Sequence, residues 1–242
     1  MKCLILAAGH GSRLRELSDS KPLTPVAGVP LIEHVIDRAA AAGAEEFVVV
    51  TGREAERVEA FLAALSARLG IPIGCVRAPD WDRPNGFSVI AGADAIAGDY
   101  LLLMSDHLFD PEIPRRLLRM ASGAPLTLAV DRDLSSPLLD LDDATKVDVG
   151  PAGEILRIGK TLTSYNAIDT GIFLATPALA AAIREDVAAG GGGSLSEGVQ
   201  RLADLGGART VDVDGRHWIA VDDPRGLRLA EDLCRPVRDN AA

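Results

Sequence analysis

Leu6-Ala7-Ala8-Gly9-His10-Gly11-Ser12-Arg13-Leu14, followed a short way on by Lys21-Pro22-Leu23, is the stretch on which the reading of this chain turns. The residues before it, 3–6, are wholly apolar and read as a short buried strand. Ala7 to Gly11 then leave little side-chain volume where the chain turns, so backbone N–H groups can close around an anion. Arg13 and Lys21 bring positive charge to the same opening, which is how a protein would hold a nucleoside triphosphate. Two better-known phosphate loops do not fit. A P-loop needs two glycines with four residues between them and then Lys-Ser or Lys-Thr, and a dinucleotide fingerprint needs a third glycine where Leu14 stands.

Working outward, strand-like runs at 2–7, 46–51, 73–77 and 100–104 alternate with helix-like segments at 31–42, 54–69 and 87–95. FVVV and YLLLM are apolar throughout, which calls for cover on both faces and so for a mainly parallel sheet between helices. The predicted fold class is α/β, a Rossmann-like three-layer sandwich whose ligands sit at the C-terminal ends of the strands. The second half is less regular, with strands expected at 126–130, 146–149, 155–158 and 171–175 and helices at 177–187 and 195–205. Gly190 to Gly193 reads as a flexible connector.

The 242 residues, 48% hydrophobic and 25% charged, suit a single domain over 1–242. A formal net charge of −10 argues against a nucleic-acid or anionic-membrane surface, so bound phosphates must meet local cations. Cys3, Cys75 and Cys234 are odd in number and far apart, which fits neither a disulfide framework nor a zinc site and points to a reducing cytoplasm. No apolar run approaches the ~20 residues needed to cross a bilayer, and neither a signal peptide nor a membrane anchor is expected.

LAAGxGSRL followed by KPL resembles the signature loop of the sugar-phosphate and alcohol-phosphate nucleotidyltransferases, with their MobA-like NTP transferase fold. These enzymes join a nucleoside triphosphate to a phosphomonoester and release pyrophosphate. The resemblance implies that Ala7, Ala8, Gly9, Gly11 and Ser12 wrap the nucleotide, that Arg13 binds the outgoing phosphates, and that Lys21 offsets charge at the phosphoryl centre. It also implies a nucleotide half at about 1–125 and an acceptor half at about 126–242, the latter closing a smaller β lobe over the acceptor.

Ser105-Asp106-His107 follows YLLLM directly, which puts Asp106 at the edge where the nucleotide loop emerges. A short ionised carboxylate there suits Mg²⁺, which takes one or two carboxylates along with phosphate oxygens. Asp110 is the better N-cap for the helix expected near Pro111. In His217-Trp218-Ile219-Ala220-Val221-Asp222-Asp223-Pro224 the family resemblance makes Asp222 the second metal ligand, while Ala220 stands where the family carries its first Asp. Asp223 reads as the N-cap of a helix starting at Pro224.

Asn85-Gly86-Phe87-Ser88, taken with Asp106-His107, is similar to the inositol-1-phosphate cytidylyltransferase branch, where this loop reads the base. Asn85 and backbone groups can match a pyrimidine edge, Gly86 permits close approach, and Ser88 offers a hydroxyl. Ala144-Thr145-Lys146-Val147, Gly159-Lys160 and Ala167-Ile168-Asp169-Thr170-Gly171 resemble the same branch. The resemblance makes Lys146 and Lys160 clamps on an acceptor phosphate, with Asp169, Thr170 and Gly171 facing inositol hydroxyls. Asp140, Asp142 and Asp143 read as a solvated loop.

The implied activity is transfer of a cytidylyl group from CTP to inositol 1-phosphate with Mg²⁺, the CDP-inositol passing to a separate membrane CDP-alcohol phosphotransferase. A homodimer is left open. Two other readings stay in play: another acceptor, such as a sugar 1-phosphate, phosphocholine or a phosphonate, and a non-catalytic nucleotide-binding regulator, which Ala220 motivates.

Overall fold

Residues 3–6 are uniformly apolar because the strand they form is covered on both sides: Cys3, Leu4 and Ile5 have no exposed surface. The computed structural model describes residues 1–9, 19–120 and 123–234. Its first half runs β1 (Lys2–Ala7), a 3₁₀ turn (Lys21–Leu23), β2 (Pro25–Val26), β3 (Val29–Pro30), α1 (Leu31–Ala41), β4 (Glu46–Thr51), α2 (Ala55–Leu69), β5 (Ile73–Arg77), α3 (Gly86–Ala93), β6 (Tyr100–Met104), β7 (His107–Phe109) and α4 (Glu112–Met120). The second half runs β8 (Leu126–Asp131), β9 (Lys146–Val149), β10 (Ile155–Gly159), β11 (Ala167–Ala175), α5 (Ala178–Ala188), α6 (Leu195–Asp204), β12 (Ala208–Asp212), β13 (Trp218–Ala220) and α7 (Pro224–Cys234).

In the large sheet β5, β4, β1 and β6 lie side by side and parallel. Antiparallel β11 follows β6, then β8 returns to the direction of β6 and carries β12 parallel at its side. Alternate residues feed two cores. Leu4, Leu6, Val50 and Leu102 pack with Val89 of α3, Ile183 of α5 and Val199 of α6, whereas Ile5, Val49 and Leu103 pack with Val35 of α1, Leu62 of α2 and Leu117 of α4. Those three layers are the Rossmann-like sandwich that the apolar strands require.

The small lobe forms where β11 changes partners. Its C-terminal part pairs with β6, from Ile172 opposite Leu103, and its first residues pair with β9, Ile168 opposite Lys146. β9 and β10 therefore extend the sheet beyond the end of β6, over the opening where ligands of such sheets bind. A register shift between Asp169 and Phe173 marks the change, and Gly171 at φ +73 lets the backbone turn there. For this reason β11 begins at Ala167 rather than at 171: the glycine that reads as a strand boundary is a bulge inside a longer strand.

Gly190 to Gly193 is a bonded approach to α6 rather than the flexible connector expected. Gly192 N–H donates to Glu197 Oε1 at 3.1 Å and Gly193 N–H to Asp186 Oδ2 at 3.0 Å. A Cβ on Gly193 would lie 2.8 Å from Phe87, so the glycine there allows α3 to pack closely.

Candidate functional site

The described part of the first loop, Ala8 and Gly9, leaves β1 at the sheet's C-terminal edge. Arg53 N–H donates to the Ala8 carbonyl at 3.2 Å, and Ser105 N–H to that of Leu6 at 3.1 Å. Gly11, Ser12 and Arg13 lie outside the described residues. Ala7, Ala8 and Gly9 line a cavity of about 200 Å³ together with Lys21, Asp106, Asn85 and Ser88. Trp81 and Arg83 also face it. Trp81 was not singled out in the sequence, although an aromatic beside the NGFS loop in a chain only 4% aromatic was an available signal.

Lys21 is carried by the 3₁₀ turn, with Pro22 buried beside it and Leu31 N–H donating to the Thr24 carbonyl at 2.9 Å. Its ammonium donates to Asp106 Oδ2 and to Asp222 Oδ1 together. Asp106 follows β6, and Asp222 leaves β13, which pairs antiparallel with β7. Val221 N–H donates to the Asp106 carbonyl at 2.8 Å, tying the two acidic strand exits to each other. This long-range antiparallel pairing explains how residues 116 positions apart in sequence converge on one point.

His107 Nδ1 lies 2.6 Å from Asp106 Oδ1. Burial alone would raise the Asp106 carboxyl, but the charges of Lys21 and His107 and their hydrogen bonds outweigh it and hold the group well below the usual carboxylate range. For Lys21, burial works against the charge, and the two carboxylates overcome it and raise its pKa. Lys21 is therefore cationic and Asp106 anionic at neutral pH.

Asp106 also opens onto a second cavity of about 310 Å³, reached past Asn85 and Met104, which line both spaces. Asp169, Gly171, Asp222 and Ala220 face the second cavity, as do Lys160 and Arg225. Asp140 and Asp143, read as solvated loop, line it too, and Asp143 Oδ1 accepts from Lys160 at 2.7 Å. Arg225, at the start of α7, escaped the sequence reading because Asp223-Pro224-Arg225 looked like a helix cap alone. The cap is present as well: Asp223 Oδ1 accepts from Gly226 N–H at 2.6 Å, and Asp110 caps Glu112 at 2.8 Å.

Four residues expected at the site serve other contacts. Gly86 lines neither cavity; a Cβ there would lie 2.3 Å from the Gly193 carbonyl oxygen, so it is a packing glycine between α3 and the approach to α6. Thr170 is fully buried and donates to the Ala129 carbonyl at 2.8 Å, because the residue after Asp169 on a strand points away from the cavity. Lys146 lines neither cavity and donates to the Lys160 carbonyl at 2.9 Å, holding the neighbouring lysine's backbone. Asn85 Oδ1 accepts from Leu195 N–H at 3.0 Å, which leaves its amide donors for another partner.

Asp169 sits in the gap between β6 and β9, its Oδ1 accepting from Gly171 N–H at 2.7 Å. Burial pushes its carboxyl up to about 6 from 3.8, with the Gly171 N–H opposing. A raised carboxyl gives stability that is complete below pH 3.8 and is lost as pH rises through about 6. That rise corresponds to about 3 kcal/mol at most, and to about 1–2 kcal/mol for a partly exposed group. Asp169→Asn should therefore match the parent near pH 4 and exceed it by about 1–2 kcal/mol at pH 8 in urea unfolding; equal stability at both would contradict the burial argument.

The fold and site together define an α/β three-layer sandwich whose two cavities meet at Asp106, with Lys21 lining one and Asp222 the other. Residues 3–141 match the MobA-like NTP transferase domain, and the chain belongs to that family. A Rubrobacter xylanophilus bifunctional IPC transferase and DIPP synthase is 37% identical over 95% of this chain and 51% of its own length. A Streptomyces rubellomurinus CMP-5'-(3-aminopropyl)phosphonate synthase is 31% identical over 99% of this chain and 40% of its own. The chain thus spans about half or less of the length of these two curated relatives. The solved inositol-1-phosphate CTP transferase of T. maritima superposes with a TM-score of 0.84 at 24% identity, over 95% of this chain and 93% of that one, which establishes the shared fold. Among the described residues, no helix is long and apolar enough to cross a membrane.

Proposed function

We propose that this chain transfers a cytidylyl group from CTP to inositol 1-phosphate, releasing pyrophosphate. The observation that carries the reading is the pair of cavities that share Asp106, one beside the glycine loop and Lys21, the other lined by Asp169, Lys160 and Arg225. The nucleotide occupies the first, with Ser88 and the Asn85 amide toward the base. The phosphomonoester occupies the second, its phosphate toward Lys160 and Arg225 and a hydroxyl toward Asp169. The IPC transferase in the Rubrobacter name, and the cytidylyl product in the Streptomyces one, support CTP as the donor.

Asp106 and Asp222 suit a hard divalent cation. Their oxygens already converge on one positive charge, the Lys21 ammonium, and two carboxylates with phosphate oxygens are the donor set Mg²⁺ takes. When bound, Mg²⁺ supplies charge stabilisation at the phosphates. The acceptor's second pKa, near ~6, leaves its phosphate largely ionised at neutral pH, so no general base is needed. Its oxygen forms a bond to the α-phosphorus of CTP while the bond from that phosphorus to the β-phosphate oxygen breaks and pyrophosphate departs. The protein aligns the two phosphates across the shared wall of the cavities, and Lys21 and Arg13 offset the charge that develops. The product is then consumed by a CDP-alcohol phosphotransferase.

The test crosses CTP, UTP, GTP and ATP against inositol 1-phosphate, glucose 1-phosphate and phosphocholine and follows pyrophosphate release with Mg²⁺. CTP with inositol 1-phosphate should lead every other pair by at least about tenfold in kcat/KM. A lead for glucose 1-phosphate would replace the acceptor, and CTP binding without turnover by any pair would favour a regulatory protein.

A further inference from the structure

His107 is set into a run of contacts that begins deep in the core. Asp131, buried at the end of β8, accepts from Trp218 Nε1 at 2.8 Å through one oxygen and from Asp133 N–H at 2.9 Å through the other. The indole, fixed by that bond, stacks on the His107 ring with 5.9 Å between centroids and 5° between planes. Gly171 leaves room for the ring, since a Cβ there would lie 3.1 Å from His107 Cδ2 and Nε2. His107 Nδ1 then meets Asp106 Oδ1 at 2.6 Å. An ionised carboxylate only accepts, so Nδ1 carries the proton and donates. This occupies Oδ1 and leaves Oδ2 toward Lys21 and Asp222.

We propose that Asp131, Trp218 and His107 form a rigid strut that aims the Asp106 carboxylate, with His107 as the positioning residue that decides which oxygen faces the phosphates. The inference rests on the reading of Asp106 and Asp222 as a divalent-cation pair. It assigns a purpose to the aromatic residue of β13: Trp218 and Asp222 belong to one strand and its exit, so the strand supplies both an acidic group and the brace for its partner. Groups that orient a metal-binding side chain typically matter about 10–100-fold for metal affinity or activity.

His107→Phe keeps a ring to stack on Trp218 and removes the donor. His107→Asn keeps an N–H donor, and Trp218→Phe keeps a ring but gives up the bond to Asp131. Each is read by Mn²⁺ binding in the presence of CTP, followed by electron paramagnetic resonance of the free ion, alongside kcat, KM and thermal melting. For His107→Phe the expected result is about tenfold weaker Mn²⁺ binding and about 10–100-fold lower kcat, with KM for CTP within about twofold. His107→Asn should recover most of both losses, and Trp218→Phe should show a smaller loss of the same kind. If His107→Phe does not fold, the contrast between His107→Asn and Trp218→Phe decides, since the strut requires the second to bind Mn²⁺ more weakly than the first. Mn²⁺ binding and kcat within about twofold of the parent in His107→Phe, or an Asn variant as impaired as the Phe variant, would overturn the proposal. Asp106→Asn, measured in parallel, separates the two levels: unchanged Mn²⁺ binding there removes the cation-pair reading itself, whereas its loss together with an unaffected His107→Phe removes the strut alone.

Discussion

Asp106→Ala should lower kcat by about 10³-fold or more at saturating Mg²⁺ while the protein remains folded. Among the described residues, Asp106 is the one side chain that touches both cavities, the Lys21 ammonium and the His107 ring. On the proposed function, its removal takes away a cation ligand at the point where charge moves from the α-phosphorus to the leaving pyrophosphate. Asp222 keeps Lys21 partnered, and β6 and β7 are held by backbone pairing and apolar packing, so melting should shift by only a few degrees. Activity near that of the parent would mean that the chemistry is centred elsewhere.

Lys21→Met should fail twice, in turnover by about 10²–10³-fold and in stability. With the ammonium gone, Asp106 and Asp222 face each other without the cation that both contact. Breaking a buried pair in this way costs about 3–5 kcal/mol, and the partial exposure of both carboxylates reduces that to about 2–3 kcal/mol. The sign with pH follows from the same repulsion. In the variant one carboxyl takes up a proton more readily, so the deficit is smallest in mild acid and grows toward pH 8. Urea unfolding of the variant and the parent across that range checks it, and a deficit independent of pH would show that the lysine acts only by packing.

The strands of the central sheet were legible because both of their faces are buried: FVVV and YLLLM have no polar residue to confuse the period, and 46–51 and 100–104 match β4 and β6. β7 and β12 were not, since HLF is too short to show a period and ARTVD mixes charge with apolar residues at an edge. At the site, Lys21, Asp106 and Asp222 could be named from motifs, but their meeting depends on the long-range pairing of β7 with β13, which no local pattern reveals. Gly86 and Thr170 were misplaced for a related reason. A glycine that admits a ligand and one that admits a neighbouring backbone look alike in sequence, and whether a strand residue faces a cavity depends on a bulge one position away. Arg225, at the start of α7, and Trp81, in the loop before α3, reach the cavities only once the chain is folded, so composition near a motif was the sole clue.

The most direct measurement of the central claim is product analysis by mass spectrometry after incubating the protein with Mg²⁺, CTP and inositol 1-phosphate. Direct transfer across the shared wall of the two cavities predicts CDP-inositol and pyrophosphate in equal amounts, with no CMP beyond the enzyme-free control. CMP formed without a nucleotide–inositol adduct, or an adduct obtained only when a sugar 1-phosphate is supplied, would contradict it.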